Sequence, residues 1–551
     1  MGGLLVALVI FPFVVGAVSF VLPVRAAKLL APVSGAISFA LVLALVPAVV
    51  AHGHVSAGSE LRVDALSVVF LVATSFLYLA TALFSAGYLH LESGPSGDRY
   101  GRRFYAGLHV FCWAMLAAPL VSGLALLWVA VEVTTVVSAL LVAIDDTETA
   151  TEAAWKYVLI ASMGLGIALL ATIVLYYAGT SAFGSGYQLS YAKMLAGAHH
   201  LPPDVMRLAF VLAVLGYGTK MGLVPVHTWL PDAHSEAPTP VSALLSGALL
   251  ATSFYAILRF YQITTAAIGS TYPRNVLLVF GLASLLLAAL YLIRQRDMKR
   301  MLAYSSVEHM GILAIGMSFG VTLAFVGVLL HVLAHAAAKG TAFFGAGSVL
   351  RKFGSKDMSV LRGGVGALPW SGSMLVAAVL ALSAMPPFGL FRSEFLIVSG
   401  GLSDPRYGVA AVLVALVTIA FLGLAWSTTQ TMLTCGPADA GRHVEVAASR
   451  SAAVLTTSGE AVLTTGEAGI SNGEVVITTG EAVITKGDAV LTRGEAGITS
   501  GEAVITKGEV SPWIVAAMGL GIAALVLLGV HLPADLSRLL NDAAHQLRSP
   551  A

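Results

Sequence analysis

Fourteen apolar stretches, each long enough to cross a bilayer, run along this chain from residues 4–22 to 512–532. A helix needs roughly 20 apolar residues to span a hydrocarbon layer of ~30 Å. Inside that layer every backbone polar group must be satisfied within the segment. The pattern therefore predicts an all-α polytopic membrane protein of about 14 transmembrane helices. Length alone, 551 residues, would suggest several soluble domains. Composition overrides that reading. Charged residues make up 11% of the chain, where an ordinary globular protein has about 25%. Hydrophobic residues make up 58%, and mean hydropathy is +0.88.

The fourth and fifth stretches nearly fuse, as do the tenth and eleventh; Gly123 and Gly320 mark the breaks. Lys and Arg in the loops set orientation. The first, third, fifth, ninth and eleventh loops hold 14 of them, against seven on the opposite side. The odd-numbered loops are thus expected in the cytoplasm and both termini outside, in a bacterial cytoplasmic membrane. No Lys or Arg precedes residues 4–22, so they read as an uncleaved first span, not a secretory signal. A net charge of +1 offers nothing to a nucleic acid, and no nucleic-acid partner is expected. The two cysteines, Cys112 and Cys435, form no CxxC, so no iron–sulfur cluster or structural zinc is expected.

One segment departs from this pattern. From Gly459 a seven-residue unit of the type GEAVLTT repeats, with glycine at 459, 466, 473, 480, 487, 494, 501 and 508 and an acid after each. A glycine in every heptad and β-branched runs argue against a coiled coil. The units would be short strands stacked as a solenoid, or a low-complexity insert. Little stable structure and no chemistry are expected here. The insert sits in a cytoplasmic loop, where it is read as dispensable.

The chemistry lies in the few polar residues within the spans. Lys220 sits in LGYGTKMGLVPVHTWLPDAHSEAPTP, a run that also carries His227 and His234. About 12 apolar or small residues precede Lys220 in its segment, which at ~1.5 Å per residue puts it well inside the bilayer. An ammonium there costs several kcal/mol unless it faces a bundle interior or a water path. The alternative is that it snorkels from a helix end. Glu132, in LALLWVAVEVTTVV, is a lone carboxylate with apolar turns on both sides; it is paired, with Lys220 the obvious partner, or neutral and structural.

In HVLAHAAAKG, His331, His335 and Lys339 recur every four residues and form one stripe on a helix. H-x3-H can bind metal, but no carboxylate or cysteine lies near it in sequence, so no metal is expected. Imidazoles, and a lysine whose charge is penalised by burial, suit a proton relay; packing as neutral core residues is the plainer alternative. Pro386, Pro387 and Gly389 must break the twelfth span just before Glu394, and Arg392 is a candidate local partner for that carboxylate. Broken helices at membrane depth usually line polar cavities. In RQRDMKRMLAYSSVEHMG the basic cluster anchors the cytoplasmic side, and Glu308 and His309 lie deeper. GLGIAA at 519–524 fits a dinucleotide pattern without the preceding strand, so it reads as helix packing. Nothing resembles a flavin, quinone-head or nucleotide site, and no cofactor is expected.

Taken together, KMGLVPVHTWLPDAHSEAPTPVSALLSG, DMKRMLAYSSVEHMG, the H-x3-H-x3-K stripe and PPFGLFRSEF resemble the antiporter-like membrane subunits of respiratory complex I and the Mrp antiporters. The wording of SVEHMG and PPFGLFRSEF is most similar to the F-type membrane subunit of hydrogenase 4 and formate hydrogenlyase-type complexes. The resemblance covers roughly residues 60–435. It implies fourteen helices with two inverted five-helix repeats and broken helices 7 and 12. The implied division is residues 1–103 for helices 1–3, 104–262 and 263–435 for the repeats, 436–511 for the insert, and 512–551 for the last helix and tail. It also implies a Glu132–Lys220 pair, a relay through His331, His335 and Lys339, and Glu394 as the terminal group. Some family members carry a lysine where Ala251 stands, so the centre of the path would use water, His227 or His234. The family's long lateral helix has no counterpart.

The function implied is proton translocation within a larger redox assembly, of the group 4 hydrogenase or NADH–quinone oxidoreductase type. Expected partners are other membrane subunits, a soluble redox arm and lipid. The alternatives are an Mrp-type sodium/proton antiporter subunit, or a membrane subunit of an inorganic-carbon uptake complex.

Overall fold

The computed structural model describes residues 1–89, 95–434 and 508–549, together with the backbone of four short strands between 468 and 503. Two long helices, α1 (Gly2–Val21) and α2 (Val24–His52), lead into a hairpin of β1 (His54–Ala57) and β2 (Leu61–Asp64). Then come α3 (Ala65–Tyr88), α4 (Pro95–Leu120), α5 (Leu124–Val142), α6 (Glu148–Phe183) and a short α7 (Tyr191–Ala196). The next helix is interrupted: α8 (Pro203–Met221) stops at Gly222 and the chain resumes as α9 (Trp229–Glu236). A continuous run follows, made of α10 (Thr239–Leu244), one π-turn (Leu245–Leu249) and α11 (Leu250–Ile268). After it come α12 (Thr271–Leu292), α13 (Met298–Ser318), α14 (Thr322–Phe353) and α15 (Gly364–Ala367). A second interrupted helix is split into α16 (Ser371–Leu382) and α17 (Gly389–Ser403). The chain ends with α18 (Tyr407–Met432), α19 (Pro512–Val530) and α20 (Ala534–Arg548).

Among the described residues ten helices are long and apolar enough to cross a membrane. The remaining expected spans fall on α4, α8, α13 and the α16–α17 pair. These helices carry charge or are split, so they fail a test of length and apolarity. Both sequence breakpoints hold. Gly123 caps the start of α5, and Gly320 joins α13 to α14 with φ +69°. A Cβ at Gly320 would meet Arg274 Nε at 2.6 Å, so both backbone sign and space require glycine there. Arg274 uses that room to donate to the carbonyls of Ser318 and Phe319, each at 2.6 Å, and to Asp404.

The centre of the bundle is α14, packed against α3, α10, α13, α16, α17, α19 and α20. Residues 239–264 are buried without exception. The outer faces of α1, α6 and α18 expose Phe13, Phe20, Leu159, Met163, Tyr177, Leu422 and Trp426. A continuous apolar exterior of this kind fits lipid, not water. The GLGIAA segment packs as expected: a Cβ at Gly521 would lie 2.0 Å from Thr341 Oγ1 on α14.

Two elements lie outside an all-helical reading. The β1–β2 hairpin buries Val55 and Val63, turning at Gly58 with φ +64°. Four residues per strand leave too short a pattern to stand out beside spans of twenty. The C-terminal α20 is amphipathic and buries Leu539, Leu540, Ala543, Ala544 and Leu547 against α2, α3, α11 and α14. Within the heptad insert two antiparallel hairpins are described, β3 (Ala468–Ser471) with β4 (Glu474–Ile477) and β5 (Ile498–Thr499) with β6 (Glu502–Ala503). The rest of the expectation for 459–507 lies outside the described residues. Its final acid is structural. Glu509 accepts from the backbone N–H of Trp370 (2.7 Å) and Ser371 (3.2 Å) and from Ser371 Oγ (2.5 Å). It thereby caps the free N–H groups at the start of α16.

A buried ion pair, not singled out in the sequence, ties the two ends of the core. Asp64 caps α3 and pairs bidentately with Arg259 of α11, at 2.7 and 2.8 Å. Arg259 also donates to Ser67 Oγ, Tyr255 OH and Gln262 Oε1. Removing one partner of such a pair leaves a buried charge uncompensated, typically at ~3–5 kcal/mol. Arg259→Met alone should therefore lower the thermal midpoint of the detergent-solubilised protein sharply, whereas Asp64→Leu combined with Arg259→Met should recover most of the loss. Equal midpoints for the single and double variants would contradict this account.

Candidate functional site

Lys220 is fully buried at the C-terminal end of α8. Its Nζ donates to Thr135 Oγ1 on α5 at 2.5 Å and to Tyr157 OH on α6 at 2.9 Å. Ser138 supports the Tyr157 hydroxyl at 2.8 Å. The expected contact with Glu132 is not made: no ion pair joins Glu132 and Lys220 among the described residues. Glu132 is half-buried, accepts from Ser162 Oγ at 3.4 Å and leaves its other oxygen unpartnered. The physical reason is register. Thr135 lies one turn further along α5 and takes the near position, so Glu132 acts on Lys220 through its charge alone.

The interruption after α8 places an aromatic stack beside Lys220. Trp229 lies 4.6 Å from the Tyr157 ring, and its Nε1 donates to Thr219 O at 2.8 Å. His234, wholly buried, stacks between Trp229 (6.4 Å) and Phe343 of α14 (5.6 Å), and neither ring nitrogen has a partner. His227, in the interruption itself, is 7% exposed, with Nδ1 unpartnered. Ala251 is buried on α11 and contributes no polar group.

The second cluster surrounds α14. Lys339 donates to Leu302 O at 2.8 Å and to Ser305 Oγ, both on α13. Glu308, one turn along α13, is buried with one oxygen unpartnered and acts on Lys339 through its charge. The expected stripe of His331, His335 and Lys339 is present, and all three are buried. His309 joins it: His309 Nδ1 lies 3.0 Å from His331 Nε2, and its ring centroid is 5.1 Å from that of His335. Glu394, on α17 just beyond the interruption, approaches from the far side, with one ligating atom each of His309, His331 and Glu394 within 4.8 Å of one another. Arg392 is not its partner. Two residues apart on a helix point about 200° from each other, and no ion pair joins them among the described residues. No carboxylate neighbours the H-x3-H pair in sequence; the fold supplies one.

Residues that the sequence reading missed hold these groups: Thr135, Tyr157, Ser305 and Ser393 are the immediate hydrogen-bond partners. Isolated hydroxyls carry no signal in an apolar span. Tyr78 also bonds His109 Nδ1 and Ser34 in a separate buried cluster.

The basic cluster at 294–300 does more than anchor. Arg300 pairs with Asp232 of α9, and Lys299 donates to Ala237 O at 2.7 Å. Lys356 bonds Glu236 at 2.9 Å and reaches Asp297 at 3.4 Å. Burial alone would raise the Glu236 carboxyl, but the hydrogen bond and charge of Lys356 outweigh it and hold the group below its usual range. A lowered carboxyl contributes stability at neutral pH and loses it as pH falls through the folded value. The stability gap between wild type and Glu236→Gln should therefore be present at pH 7 and close below pH ~4, the ordinary glutamate range. A gap that widens on acidification would refute the pairing.

Comparison with known proteins shows the family and the fold. The family described as NADH:quinone oxidoreductase/Mrp antiporter, transmembrane, matches residues 122–422. The chain belongs to that family. It is 36% identical over 364 residues to the "Hydrogenase-4 component F homolog" of Methylacidiphilum infernorum, covering 66% of this chain and 76% of that relative. It is 33% identical over 358 residues to "NADH-quinone oxidoreductase subunit N" of Desulforudis audaxviator, covering 65% and 69%. A chain of the Mrp complex from Dietzia sp. DQ12-45-1b shares the fold, with TM-score 0.76 at 19% identity, covering 100% of this chain and 98% of that one. The protein is an antiporter-like, multi-pass membrane subunit of the complex I, Mrp and hydrogenase-4 type.

Proposed function

We propose that this chain translocates protons as one membrane subunit of a multisubunit redox complex in a bacterial cytoplasmic membrane. The redox partner is of the group 4 hydrogenase, formate hydrogenlyase or complex I-like NADH–quinone oxidoreductase class, and any redox cofactors reside in partner subunits. Sequence likeness to the hydrogenase-4 component F homolog supports the hydrogenase class. In this reading both termini face outward, as the Lys/Arg distribution suggests.

The observation that carries the proposal is a buried row of ionisable groups crossing the bundle. Lys220 stands at one end, His234 in the middle, and Lys339, Glu308, His309, His331 and Glu394 beyond it. A proton enters at Lys220, whose ammonium is held by Thr135 and Tyr157. A change in the charge of Glu132, driven by the redox partner, weakens or strengthens the protonated form of Lys220. The released proton crosses by way of His234 to Lys339 and continues through His309 and His331 to Glu394. Buried waters would complete the contacts that side chains do not span. Each group must be able to be neutral in one state.

Two substitutions test this. Arg does not deprotonate in proteins, so Lys339→Arg should keep the charge and the fold while abolishing most proton transfer into sealed vesicles. Redox turnover with an artificial acceptor should survive. Full pumping by Lys339→Arg would reduce Lys339 to an electrostatic fixture. His234→Phe keeps the aromatic stack but removes the titratable ring, and should slow transfer at least tenfold. Wild-type transfer by that variant would route the path elsewhere.

A further inference from the structure

His309, His331 and Glu394 are more than three members of a row. Their ligating atoms come within 4.8 Å of one another from three different helices, α13, α14 and α17. We propose that they form a binding site for a divalent transition metal of zinc's class, set across the far half of the buried row.

The hydrogen bonds already fix one ligand. Ser393 Oγ donates to Leu390 O at 2.8 Å, so it accepts from His331 Nδ1–H at 3.0 Å. That locks the His331 tautomer and turns the Nε2 lone pair toward His309 and Glu394. An outer partner that fixes the ring in this way is the usual support of a metal-bound histidine. His309 Nδ1–H then donates to His331 Nε2 at 3.0 Å, leaving His309 Nε2 buried without a partner. Glu394 Oε1 is also buried and unpartnered. The cluster thus holds more acceptors than donors, which is the electrostatic complement of a cation.

The donor chemistry selects the ion. Two imidazoles and one carboxylate, with a fourth position left for water, suit zinc and its neighbours; sodium, magnesium and calcium prefer all-oxygen shells. At Zn–N distances of ~2.0–2.1 Å, ligand atoms of a tetrahedral centre stand about 3.3 Å apart. The His309 Nδ1–His331 Nε2 spacing of 3.0 Å is already near that; a metal seated there takes the place of the proton the two rings share, His309 then carrying its N–H on Nε2, and Glu394 has to close by about an ångström and a half at most. The adjoining interruption reaches the surface of the chain at Met385, Pro386 and Pro387, which are exposed. A metal so seated occupies both imidazoles and the carboxylate, and would shut this half of the path. That consequence rests on the proton-path reading; the site itself does not.

The test uses the full chain, free of any histidine tag, in lipid nanodiscs, titrated with Co2+. Wild type should take up one Co2+ with the intense visible bands of a tetrahedral centre, and Zn2+ should displace it. Glu394→Gln and His331→Gln should abolish those bands, whereas His227→Gln, outside the cluster, should retain them. Ser393→Ala leaves all three ligands but frees the His331 ring, and should weaken binding ~10-fold. No tetrahedral Co2+ in wild type, or unchanged binding in Glu394→Gln and His331→Gln, would overturn the site. Bound zinc that leaves proton transfer into vesicles unchanged would refute the proton path instead, with the metal site intact.

Discussion

The interior of this bundle is governed by the cost of holding charge out of water. A polar group at that depth must find its partner inside the protein, because lipid offers none. The structure meets this demand in two different ways. Asp64 and Arg259 are satisfied completely: the guanidinium has five contacts and the carboxylate caps a helix. Lys220, Lys339, His309 and His331 are satisfied in part, by hydroxyls, a carbonyl and each other. Complete satisfaction fixes a structure. Partial satisfaction leaves groups that gain or lose a proton without tearing the core.

That contrast explains where the chain breaks. A continuous helix consumes its own N–H and C=O groups and leaves nothing for a mobile charge. The interruptions between α8 and α9 and between α16 and α17 free backbone next to Lys220 and Glu394. Neither break is left loose. Arg300, Lys299 and Lys356 hold α9 from the adjoining loops and the start of α13. At the other break α19 packs so close that a Cβ at Gly529 would sit 1.9 Å from Pro387 O. Glu509, the last acid of the heptad insert, caps α16.

Most of this was legible because hydrocarbon is an unforgiving solvent. Twenty-residue apolar runs, lone charges within them and the prolines Pro386 and Pro387 carry strong physical signals, and they located the spans, the stripe on α14 and the second break; the first break came with the family resemblance. Partners were harder. The sequence offered Lys220 for Glu132 and Arg392 for Glu394, because opposite charges invite pairing. In the fold Thr135 and Tyr157 take Lys220, and His309 and His331 face Glu394. Hydroxyls and imidazoles from other helices leave no periodic trace, so only the packing reveals them. The hairpin at 54–64 and amphipathic α20 escaped for the opposite reason: each is short or polar beside spans that dominate the pattern.

The centre of the row shows what the substitution at Ala251 entails. At the position of Ala251 on α11 no charged group is supplied. The space is filled instead by Trp229, His234 and Phe343, a stack in which the imidazole is the sole titratable member. A permanent ammonium there would repel both neighbouring lysines. A neutral imidazole does not, and on the proposed path it would carry charge only while a proton passes. Its two unpartnered nitrogens cost some stability, a cost that a purely structural residue at this position would avoid. On the proposed path, the link between Lys220 and Lys339 is therefore one imidazole, held in orientation by its aromatic neighbours.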